Sequence, residues 1–436
     1  MPDTPRVLWL VSVTLPAAAA ACGLGRAVDV SGGWLDGQLR ALSPRIPLTV
    51  CSLDARVTAP REGARGGVRY RLLPAVPPPD FDALLAAETP ALVHIWGTEY
   101  PAAAALHRAA RTRGIPALVS IQGVMRDCAV HYADGVPDAL RRSCLLQRAV
   151  DRLVPGALLD REQARFNALA AGEAALLAEA RYVTGRTGFD RAAAAALAPR
   201  ARYFFCGETL RAGFYGAPLW QPHAFGDAPV LLMTQGNYPL KNLHTALRAL
   251  PAVLRRWPNA ELRVAGWPPL DKGPLLRPVI DWMFPYAAWC RRLVKELGLA
   301  GRLRFTGPLD AAAMRAAYLD ADVFLLPSYC ENSPNSLGEA MLLGMPCAAA
   351  AVGGIPDLAQ DGREARLYAP AGDAGALAQA LTGLLADAPL AAALGQAARR
   401  RALAAHDPAA NADAMAAIYQ QILAENSSGR TGGARP

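Results

Sequence analysis

The sequence lacks the features that mark several classes of protein. Beyond residues 7–22, no apolar run approaches the roughly 20 residues that a membrane-spanning helix requires. The eight cysteines are far apart and include no CxxC pair, no basic stripe is interleaved with aromatic residues, and no repeat of solenoid period is visible. These absences argue against nucleic-acid binding and a repeat architecture. They also favour reduced core thiols in a reducing compartment.

Residues 7–22 themselves admit two interpretations. The stretch follows Arg6 and ends in AAAAC, as a signal peptide or lipobox does. Its positive region holds that single arginine, which Asp3 offsets, and Pro16 fits the loop after a buried strand over residues 7–13. We favour the strand and expect the protein to work in the cytoplasm.

The residues that are present favour two globular domains. The chain has 436 residues, 53% of them hydrophobic and 19% charged, which is enough for two α/β cores of about 200 residues each. The formal net charge is +8, and the basic residues are scattered. This charge suits a protein that handles phosphates or works beside an anionic membrane.

Short apolar runs alternate with helix-compatible stretches along the whole chain. That alternation is typical of parallel sheets with crossover helices. The predicted strands cover residues 7–13, 47–53, 70–74, 91–96, 116–121, 180–185, 229–235, 261–266, 303–307, 322–328, 346–351 and 365–369. A segment rich in Pro, Gly and polar residues at 221–229 predicts the linker between the domains.

The sequence therefore predicts an α/β protein with two Rossmann-like, doubly wound domains. They span residues 1–225 and 226–405, a C-terminal helix over 406–425 returns to the first domain, and 426–436 form a disordered tail. In such a pair, the carboxyl ends of both sheets face a shared crevice, where ligands bind. Residues that follow the predicted strands are accordingly the candidates for a functional site.

The strongest local signal follows the predicted strand at 322–328. Glu331 and Glu339 are separated by seven residues, and a helix is predicted to begin near Asn335. Free N–H groups at a helix start suit an anion. The two carboxylates suit sugar hydroxyls, one set on a hexose and one on a ribose. A capped surface helix with two unrelated glutamates is the structural alternative.

The residues around these glutamates resemble the motif of a known family. ENSPNSLGEAMLLGMPC (331–347), followed by VGGIPDLAQDG (352–362), is similar to the Glu-x7-Glu signature of the retaining group 1 glycosyltransferases, a GT-B family with glycogen and sucrose synthases among its relatives. The ENSPNSLGEAM segment resembles a subset found with exopolysaccharide and capsule biosynthesis. The resemblance extends over both domains, through residues 32–42, 94–101, 120–135, 180–192, 206–215 and 236–250.

This resemblance implies the GT-B fold and a specific reaction. The protein would be a retaining glycosyltransferase that moves a hexose from a nucleotide diphosphate sugar to a glycan or lipid-linked oligosaccharide in surface polysaccharide biosynthesis. The resemblance assigns Glu331 to the hexose, Glu339 to the ribose and Lys241 to the diphosphate, with Glu331 and Lys241 as the catalytic residues. Further donor contacts are implied for Gly236, Asn335 and Ser336. No cofactor is implied.

Two departures from the family pattern matter. Asn237 stands where the family has an arginine, and Arg186 is expected either to supply the missing charge at the donor or to pack between the domains. The chain also has Ser-Ile-Gln-Gly at 120–123 in place of a turn that carries a histidine near the acceptor. Gln122 cannot act as a general base at neutral pH, so a mechanism that relies on a histidine there is in doubt.

The acceptor is expected on the first domain. Loops after its strands supply the candidate contacts Gly33, Glu99, Tyr100, Gln122 and His131. His94 precedes Trp96 on a buried strand and is predicted to be a hydrogen-bonded core histidine. The positive charge and the family resemblance also predict peripheral association with the inner membrane face.

The sequence also bears on metal dependence and on alternative functions. Asp320-Ala321-Asp322 matches a DxD string but lies at the amino edge of a predicted strand, so we interpret it as structural and expect catalysis without a divalent ion. A nucleotide-sugar 2-epimerase of GT-B shape, an inactive GT-B scaffold and a non-enzymatic two-lobed sugar-binding protein stay open as alternatives. Product analysis separates the first of these, because an epimerase needs no acceptor.

Overall fold

The computed structural model describes residues 5–24, 32–153, 157–266 and 273–431. Its contacts divide the chain into two compact units. Unit 1 comprises Met1–Val124, Leu169–Ala212 and Ala405–Pro436, and unit 2 comprises Met125–Ala168 and Gly213–Ala404. Each unit is built around one sheet.

Unit 1 contains an eight-stranded sheet. Its strands are β1 (Val7–Val11), β2 (Leu48–Asp54), β3 (Arg61–Arg65), β4 (Val68–Pro74), β5 (Leu92–Trp96), β6 (Ala117–Ser120), β7 (Tyr182–Gly185) and β8 (Arg202–Phe205). The order across the sheet is β3-β4-β2-β1-β5-β6-β7-β8. Every neighbouring pair is parallel except β3 and β4, so β3 is an antiparallel edge strand.

Unit 2 contains a six-stranded parallel sheet. Its strands are β9 (Val230–Met233), β10 (Glu261–Ala265), β11 (Leu303–Gly307), β12 (Val323–Leu326), β13 (Cys347–Ala350) and β14 (Arg366–Tyr368). The order is β11-β10-β9-β12-β13-β14, so the direction of strand addition reverses between β9 and β12. In an open α/β sheet, ligands bind beyond the carboxyl ends of the strands at such a reversal.

The helices cover both faces of these sheets. They are α1 (Pro16–Ala21), α2 (Gly33–Leu42), α3 (Phe81–Glu88), α4 (Pro101–Thr112), α5 (Met125–His131), α6 (Asp138–Arg141), α7 (Leu145–Asp151), α8 (Leu159–Glu179), α9 (Gly188–Leu197), α10 (Leu243–Leu254), α11 (Gly273–Met283), α12 (Pro285–Glu296), α13 (Ala311–Leu319), α14 (Asn335–Leu342), α15 (Ile355–Leu358), α16 (Ala374–Ala386), α17 (Ala388–Ala405) and α18 (Pro408–Thr431). Within the described ranges, no helix is by itself both long and apolar enough to cross a membrane; the bent pair Ala374–Ala386 and Ala388–Ser427 meets these two criteria together.

The core of unit 1 explains why β1 is apolar throughout. All five residues of β1 are fully buried, because β2 and β5 flank the strand and helices cover both of its faces. One face packs against α2 and α18, and the other packs against α3, α4 and α9. The indole N–H of Trp9 on β1 donates to the Tyr419 hydroxyl on α18 at 2.9 Å. The N-terminal apolar run therefore forms the predicted strand at the centre of the sheet.

The predicted strands agree closely with those in the structure. All twelve are present, and each boundary lies within two residues of its predicted position. The prediction missed β3 and β8. In β3, four of five residues are exposed, and β8 is four residues long with two of them exposed, so neither has the apolar run that indicates a buried strand.

The chain changes from unit 1 to unit 2 before the predicted linker. The change after residue 169 occurs between Ala212 and Gly213, whereas the prediction placed it at 225/226. Trp220 already belongs to unit 2, where its indole N–H donates to the Ala321 carbonyl at 3.0 Å. Residues 125–168, which the prediction placed in the first domain, also group with unit 2.

The C-terminal helix is longer than predicted. It runs to Thr431, so residues 426–431 are helical where a disordered tail was predicted. Asn426 Nδ2 donates to the Ile422 carbonyl at 2.6 Å and to the Tyr182 hydroxyl at 3.1 Å, which continues the helix against unit 1. Residues 432–436 of the predicted tail lie outside the described residues.

Candidate functional site

The two loops at the strand-order reversal of unit 2 bring a lysine and a glutamate together. Lys241 ends a single 3-10 turn, Pro239–Lys241, which follows β9. Glu331 lies in the loop after β12. The Nζ atom of Lys241 and the Oε1 atom of Glu331 are 2.5 Å apart. Two residues predicted to be catalytic are therefore in direct contact at the position where an α/β sheet binds its ligand.

This ion pair is largely shielded from solvent. The side chains of Lys241 and Glu331 are 16% and 11% exposed. Burial lowers the pKa of Lys241, but the nearby Glu331, Tyr238 and Cys128 together outweigh burial, and the pKa is raised above its usual value. The Tyr238 ring lies 6.0 Å from Nζ. The ammonium group thus stays charged in a poorly solvated position, where its field on a bound anion is strong.

Asn242 connects the Lys241 turn to the neighbouring loops. It is fully buried, and its backbone is in the left-handed region at φ 58°. Its Nδ2 donates to the Pro327 and Ala371 carbonyls, each at 2.9 Å, and its Oδ1 accepts from the Thr245 amide at 3.3 Å. Pro327 directly follows β12, so one side chain joins both loops of the site. The sequence prediction missed Asn242, although an asparagine directly before a helix is an N-cap signal.

A close backbone approach fixes the loop that carries Glu331. The Gly354 amide donates to the Glu331 carbonyl at 3.0 Å. A Cβ atom at Gly353 would lie 1.9 Å from the same carbonyl oxygen, and Gly353 has a φ of +53°. Only glycine fits this position. The segment 352–362, which contributed to the family resemblance, therefore packs against the Glu331 backbone and fixes its loop.

The helix after this loop begins at Asn335, close to the predicted position. The first amides of α14, at Asn335 and Ser336, have no acceptor within the helix by geometry. The Oδ1 atom of Asn335 is buried and has no hydrogen-bond partner among the described residues. Glu339, one turn further on, is 3% exposed. Gly236, which follows β9, is also buried. All the predicted donor contacts except Arg186 thus lie in unit 2.

Arg186 belongs to unit 1, where it has partners of its own. It forms an ion pair with Glu208, and the two side chains are 8% and 2% exposed. Its guanidinium also donates to Gln122, to Oε1 at 3.2 Å and to the carbonyl at 3.1 Å. The structure therefore brings two predicted contacts, Arg186 and Gln122, together within one unit. A role for Arg186 at the donor stays a prediction.

The other predicted acceptor contacts of unit 1 have different environments. Tyr100 donates its hydroxyl to the carbonyls of Trp96 and Leu10, at 3.1 and 3.3 Å, so it is used within the fold. One carboxylate oxygen of Glu99 is buried without a partner among the described residues. Burial raises the pKa of Glu99, against the opposing effects of backbone amides and Arg186. Gly33 is the first residue of α2, next to the Arg211 side chain.

The two histidines of the sequence analysis have separate locations. His131 ends α5 in unit 2, and its Nδ1 lies 2.7 Å from an Asp134 carboxylate oxygen. His131 therefore belongs to unit 2, whereas the other acceptor candidates belong to unit 1. His94 is fully buried in unit 1, with hydrogen bonds to Tyr419 at 2.6 Å and Ser120 at 2.7 Å. The prediction of a hydrogen-bonded core histidine is confirmed.

The DxD string has structural partners. Asp320 forms an ion pair with Arg263, and Asp322 accepts from the Val230 amide at 2.6 Å, at the amino ends of β9 and β12. The string is therefore at the opposite edge of the sheet from Lys241. All eight cysteines are free, and six of them are buried, as expected for core thiols. Among the described residues, no three His, Cys, Asp or Glu side chains gather into a potential metal site.

The segment that contains Lys241 and Glu331 is similar to known proteins. Residues 228–387 match the family model described as glycosyl transferases group 1. The GDP-mannose-dependent alpha-(1-6)-phosphatidylinositol monomannoside mannosyltransferase of Mycolicibacterium smegmatis is 30% identical over 194 residues, covering 43% of this chain and 46% of that protein. The chain thus matches less than half the length of this relative.

Solved structures are similar over nearly the whole chain. Sucrose-phosphate synthase from Thermosynechococcus elongatus has a TM-score of 0.72 at 20% identity, and the match covers 97% of this chain and 100% of that one. The Anabaena protein HepE, solved with UDP and glucose, has a TM-score of 0.63 at 16% identity, covering 95% and 99%. The chain therefore has the GT-B fold that the sequence predicted.

Proposed function

We propose that this protein is a retaining glycosyltransferase that moves a hexose from a nucleotide diphosphate sugar to a glycan or lipid-linked acceptor in surface polysaccharide biosynthesis. The partly buried ion pair of Lys241 and Glu331 at the strand-order reversal of unit 2 carries the proposal. Support comes from the match of residues 228–387 to group 1 glycosyltransferases. Further support comes from a fold neighbour solved with UDP and glucose.

The residues of unit 2 suit an activated sugar in distinct ways. Lys241 and the first amides of α14 would hold the diphosphate, because a cation and helix N–H groups both favour an anion. Glu331 would accept hydrogen bonds from the hexose, and Glu339 from the ribose. The unpartnered Oδ1 of Asn335 offers a further acceptor for a sugar hydroxyl.

The mechanism we propose places the chemistry on the substrates. The bond from the anomeric carbon to the phosphate oxygen breaks, and Lys241 with the α14 amides stabilises the departing nucleoside diphosphate. The acceptor oxygen then attacks from the side that the diphosphate leaves, so configuration is retained. A phosphate oxygen takes the proton of the acceptor hydroxyl. No divalent ion is required in this scheme, because the lysine and the amides supply the positive charge.

A thermal-shift screen of nucleotide sugars tests the donor. UDP-glucose and GDP-mannose are the first compounds to compare, because a ligand that binds only the folded state raises the melting temperature. Donor selection by one of them, followed by transfer to an added glycan, would support the proposal. Stabilisation by neither would contradict it. Conversion of the donor to its 2-epimer without an acceptor would favour the epimerase, and binding of free sugar alone would favour the sugar-binding protein.

We also propose that the protein works in the cytoplasm and associates with an anionic membrane through the α7 surface, defined by Leu145, Leu146, Leu153 and Val279. These side chains are 84%, 64%, 84% and 57% exposed. Leu145 and Leu146 lie on α7, Leu153 follows that helix, and Val279 lies on α11. A hydrogen bond of 2.7 Å from Gln147 to the Trp282 carbonyl joins α7 to α11. Exposed aliphatic side chains beside arginines suit the interface of an anionic bilayer.

Arginines lie close to the α7 surface in the chain. Arg142 and Arg152 are both exposed and flank α7. Sedimentation with phosphatidylcholine vesicles, with and without phosphatidylglycerol, measures the binding. We expect binding to the anionic vesicles, and its loss in the Leu145→Gln/Leu153→Gln variant. The control Leu403→Gln changes an exposed leucine of α17. Unchanged sedimentation of the double variant would reject the surface.

A further inference from the structure

A pocket in unit 1 collects buried polar atoms at the carboxyl ends of four adjacent strands. The room inside for a water-sized group is only about 10 Å³, enough for one water molecule or one hydroxyl. Residues at the ends of β5, β6, β7 and β8 line it, together with Trp34 and Gln38 of α2. The carboxyl edge of a parallel sheet is where α/β folds bind ligands. Only part of this pocket, at Gln122 and Arg186, corresponds to residues that the sequence predicted.

Four residues that line the pocket each have one buried polar atom without a hydrogen-bond partner among the described residues. These atoms are Gln38 Nε2, Trp96 Nε1, Thr184 Oγ1 and Arg186 Nε. Gln38, Trp96 and Thr184 are 2%, 6% and 3% exposed, and the Arg186 side chain is 8% exposed. Buried polar groups in folded proteins are usually satisfied, so four around one pocket indicate a polar occupant. Three of the four are N–H donors, which calls for oxygen atoms.

The described residues that line the pocket carry no net charge. Arg186 is their one cation and Glu208 their one anion, and the two form an ion pair. An entering phosphate or carboxylate would find the guanidinium charge already balanced, and it would lose its own hydration. An uncharged hydroxyl or amide group faces no such penalty. A hydroxyl can also both accept from the N–H donors and donate to a carboxylate.

We propose that this pocket binds one hydroxyl of an uncharged sugar unit of the acceptor. The proposal rests on the proposed function and adds Gln38, Trp96 and Thr184 to the acceptor contacts. Trp34 and Trp96, whose ring centroids are 5.5 Å apart, supply apolar surface beside this hydroxyl. The subsite therefore selects a neutral glycan unit over a phosphorylated one.

The experiment compares two buried threonines. The Thr184 hydroxyl has no hydrogen-bond partner among the described residues, whereas the Thr98 hydroxyl has one. Thr184→Val removes the unpartnered hydroxyl and keeps the shape of the side chain. The control is Thr98→Val in the same unit, because the Thr98 hydroxyl, 3% exposed, donates to Glu173 at 2.6 Å. Saturation-transfer NMR measures binding of the methyl glycosides of glucose, mannose, galactose and N-acetylglucosamine, and of the 6-phosphates of the same sugars. UDP and GDP are titrated separately.

We expect a methyl glycoside to bind the wild type and to bind Thr184→Val roughly tenfold more weakly, as for one lost hydrogen bond in a buried site. The melting temperature of Thr184→Val should equal or exceed that of the wild type, whereas Thr98→Val should melt lower and bind the glycoside normally. If the Thr184 hydroxyl merely completes the fold, Thr184→Val should instead melt below the wild type.

Several results would overturn the subsite. They are the absence of glycoside binding by the wild type, equal binding by Thr184→Val, or tighter binding of the 6-phosphates than of the neutral glycosides. The nucleotide titration separates this failure from failure of the proposed function. Binding of UDP or GDP without any glycoside removes the subsite alone, and glycoside binding without either nucleotide supports the pocket but contradicts the transferase.

Discussion

Lys241 is distinctive among the basic residues of this chain. Lysine and arginine together number 45, and only three of them are lysines. Arginine presents a planar fork, whereas lysine presents a compact charge on a flexible stem with rotatable donors. A compact ammonium with three donors can stay paired with Glu331 and also donate to an incoming diphosphate. The scarcity of lysine is thus a composition signal that, with the turn after β9, points to this residue.

Asn242 gives the first prediction at the residue scale. Asn242→Ala removes two donated hydrogen bonds and the helix cap, and it places alanine at φ 58°. At about 1 kcal/mol for each of these losses, the free energy of unfolding should fall by about 3 to 4 kcal/mol. Asn242→Gly avoids the backbone strain, so it should lose about 1 kcal/mol less. Urea denaturation measures both, and equal losses would contradict the strain.

His244 gives a pH prediction. It is fully buried, with hydrogen bonds to the hydroxyls of Tyr286 at 3.1 Å and Tyr329 at 3.2 Å. Burial, with a smaller contribution from Arg248, lowers the pKa of His244 to about 3. The unfolded chain binds this proton near pH 6.5, so the stability due to neutral His244 is complete above that pH and is lost as pH falls towards 3.

The corresponding measurement is the pH dependence of stability in His244→Gln. The glutamine keeps hydrogen-bonding capacity and does not titrate. Between pH 7 and pH 5, the wild type should lose about 2 kcal/mol more than the variant. Chemical denaturation at the two pH values gives this difference. An identical loss in both proteins would show that His244 does not resist protonation in the folded state.

At the scale of elements, alanine substitutions at two glycines distinguish the effect of backbone strain from the effect of displacing the Glu331 loop. Gly353 and Gly362 have φ values of +53° and +70°, so alanine is strained by about 1 kcal/mol at either position. Only at Gly353 does the added Cβ meet the Glu331 carbonyl, whereas its nearest neighbour at Gly362 is 3.9 Å away. Gly353→Ala should therefore displace the loop, and Gly362→Ala should not.

Steady-state transfer rates test this pair of variants. We expect the turnover of Gly353→Ala to fall at least about tenfold, because displacement of a catalytic group by even 1 Å is costly. Gly362→Ala should retain most of the wild-type turnover. If the two variants have the same turnover, the contact between residues 353 and 331 does not position the catalytic loop.

The elements that could be predicted are those with a strong apolar period. β1 and β12 are buried throughout, so their apolar runs are visible in the sequence. β3 is an exposed edge strand, and its polar residues carry no such signal. The start of α14 followed from the Glu331 motif. The hydrogen bonds of Asn242 and the close approach of Gly353 to Glu331 depend on contacts between distant loops, which cannot be predicted from a single sequence.

At the scale of the whole molecule, the fold was predictable and the division of the chain was less so. Alternating strands and helices predict two parallel sheets. They do not predict that residues 125–168 group with unit 2, because that grouping depends on which surface the helices pack against. The same limit applies to the unit 1 pocket. Gln38 on α2 and Thr184 on β7 are far apart in sequence, and the resemblance of residues 32–42 and 180–192 to the family assigns neither of them a role.

The central claim is that Lys241 stabilises the departing nucleoside diphosphate while paired with Glu331. Single-turnover transfer from the donor that the thermal-shift screen selects tests it most directly. Lys241→Ala should react at least about 100-fold more slowly than the wild type, as for loss of one electrostatic stabiliser. Lys295→Ala, which changes an exposed lysine of the same unit, should react at the wild-type rate. A near-normal rate for Lys241→Ala would contradict the account.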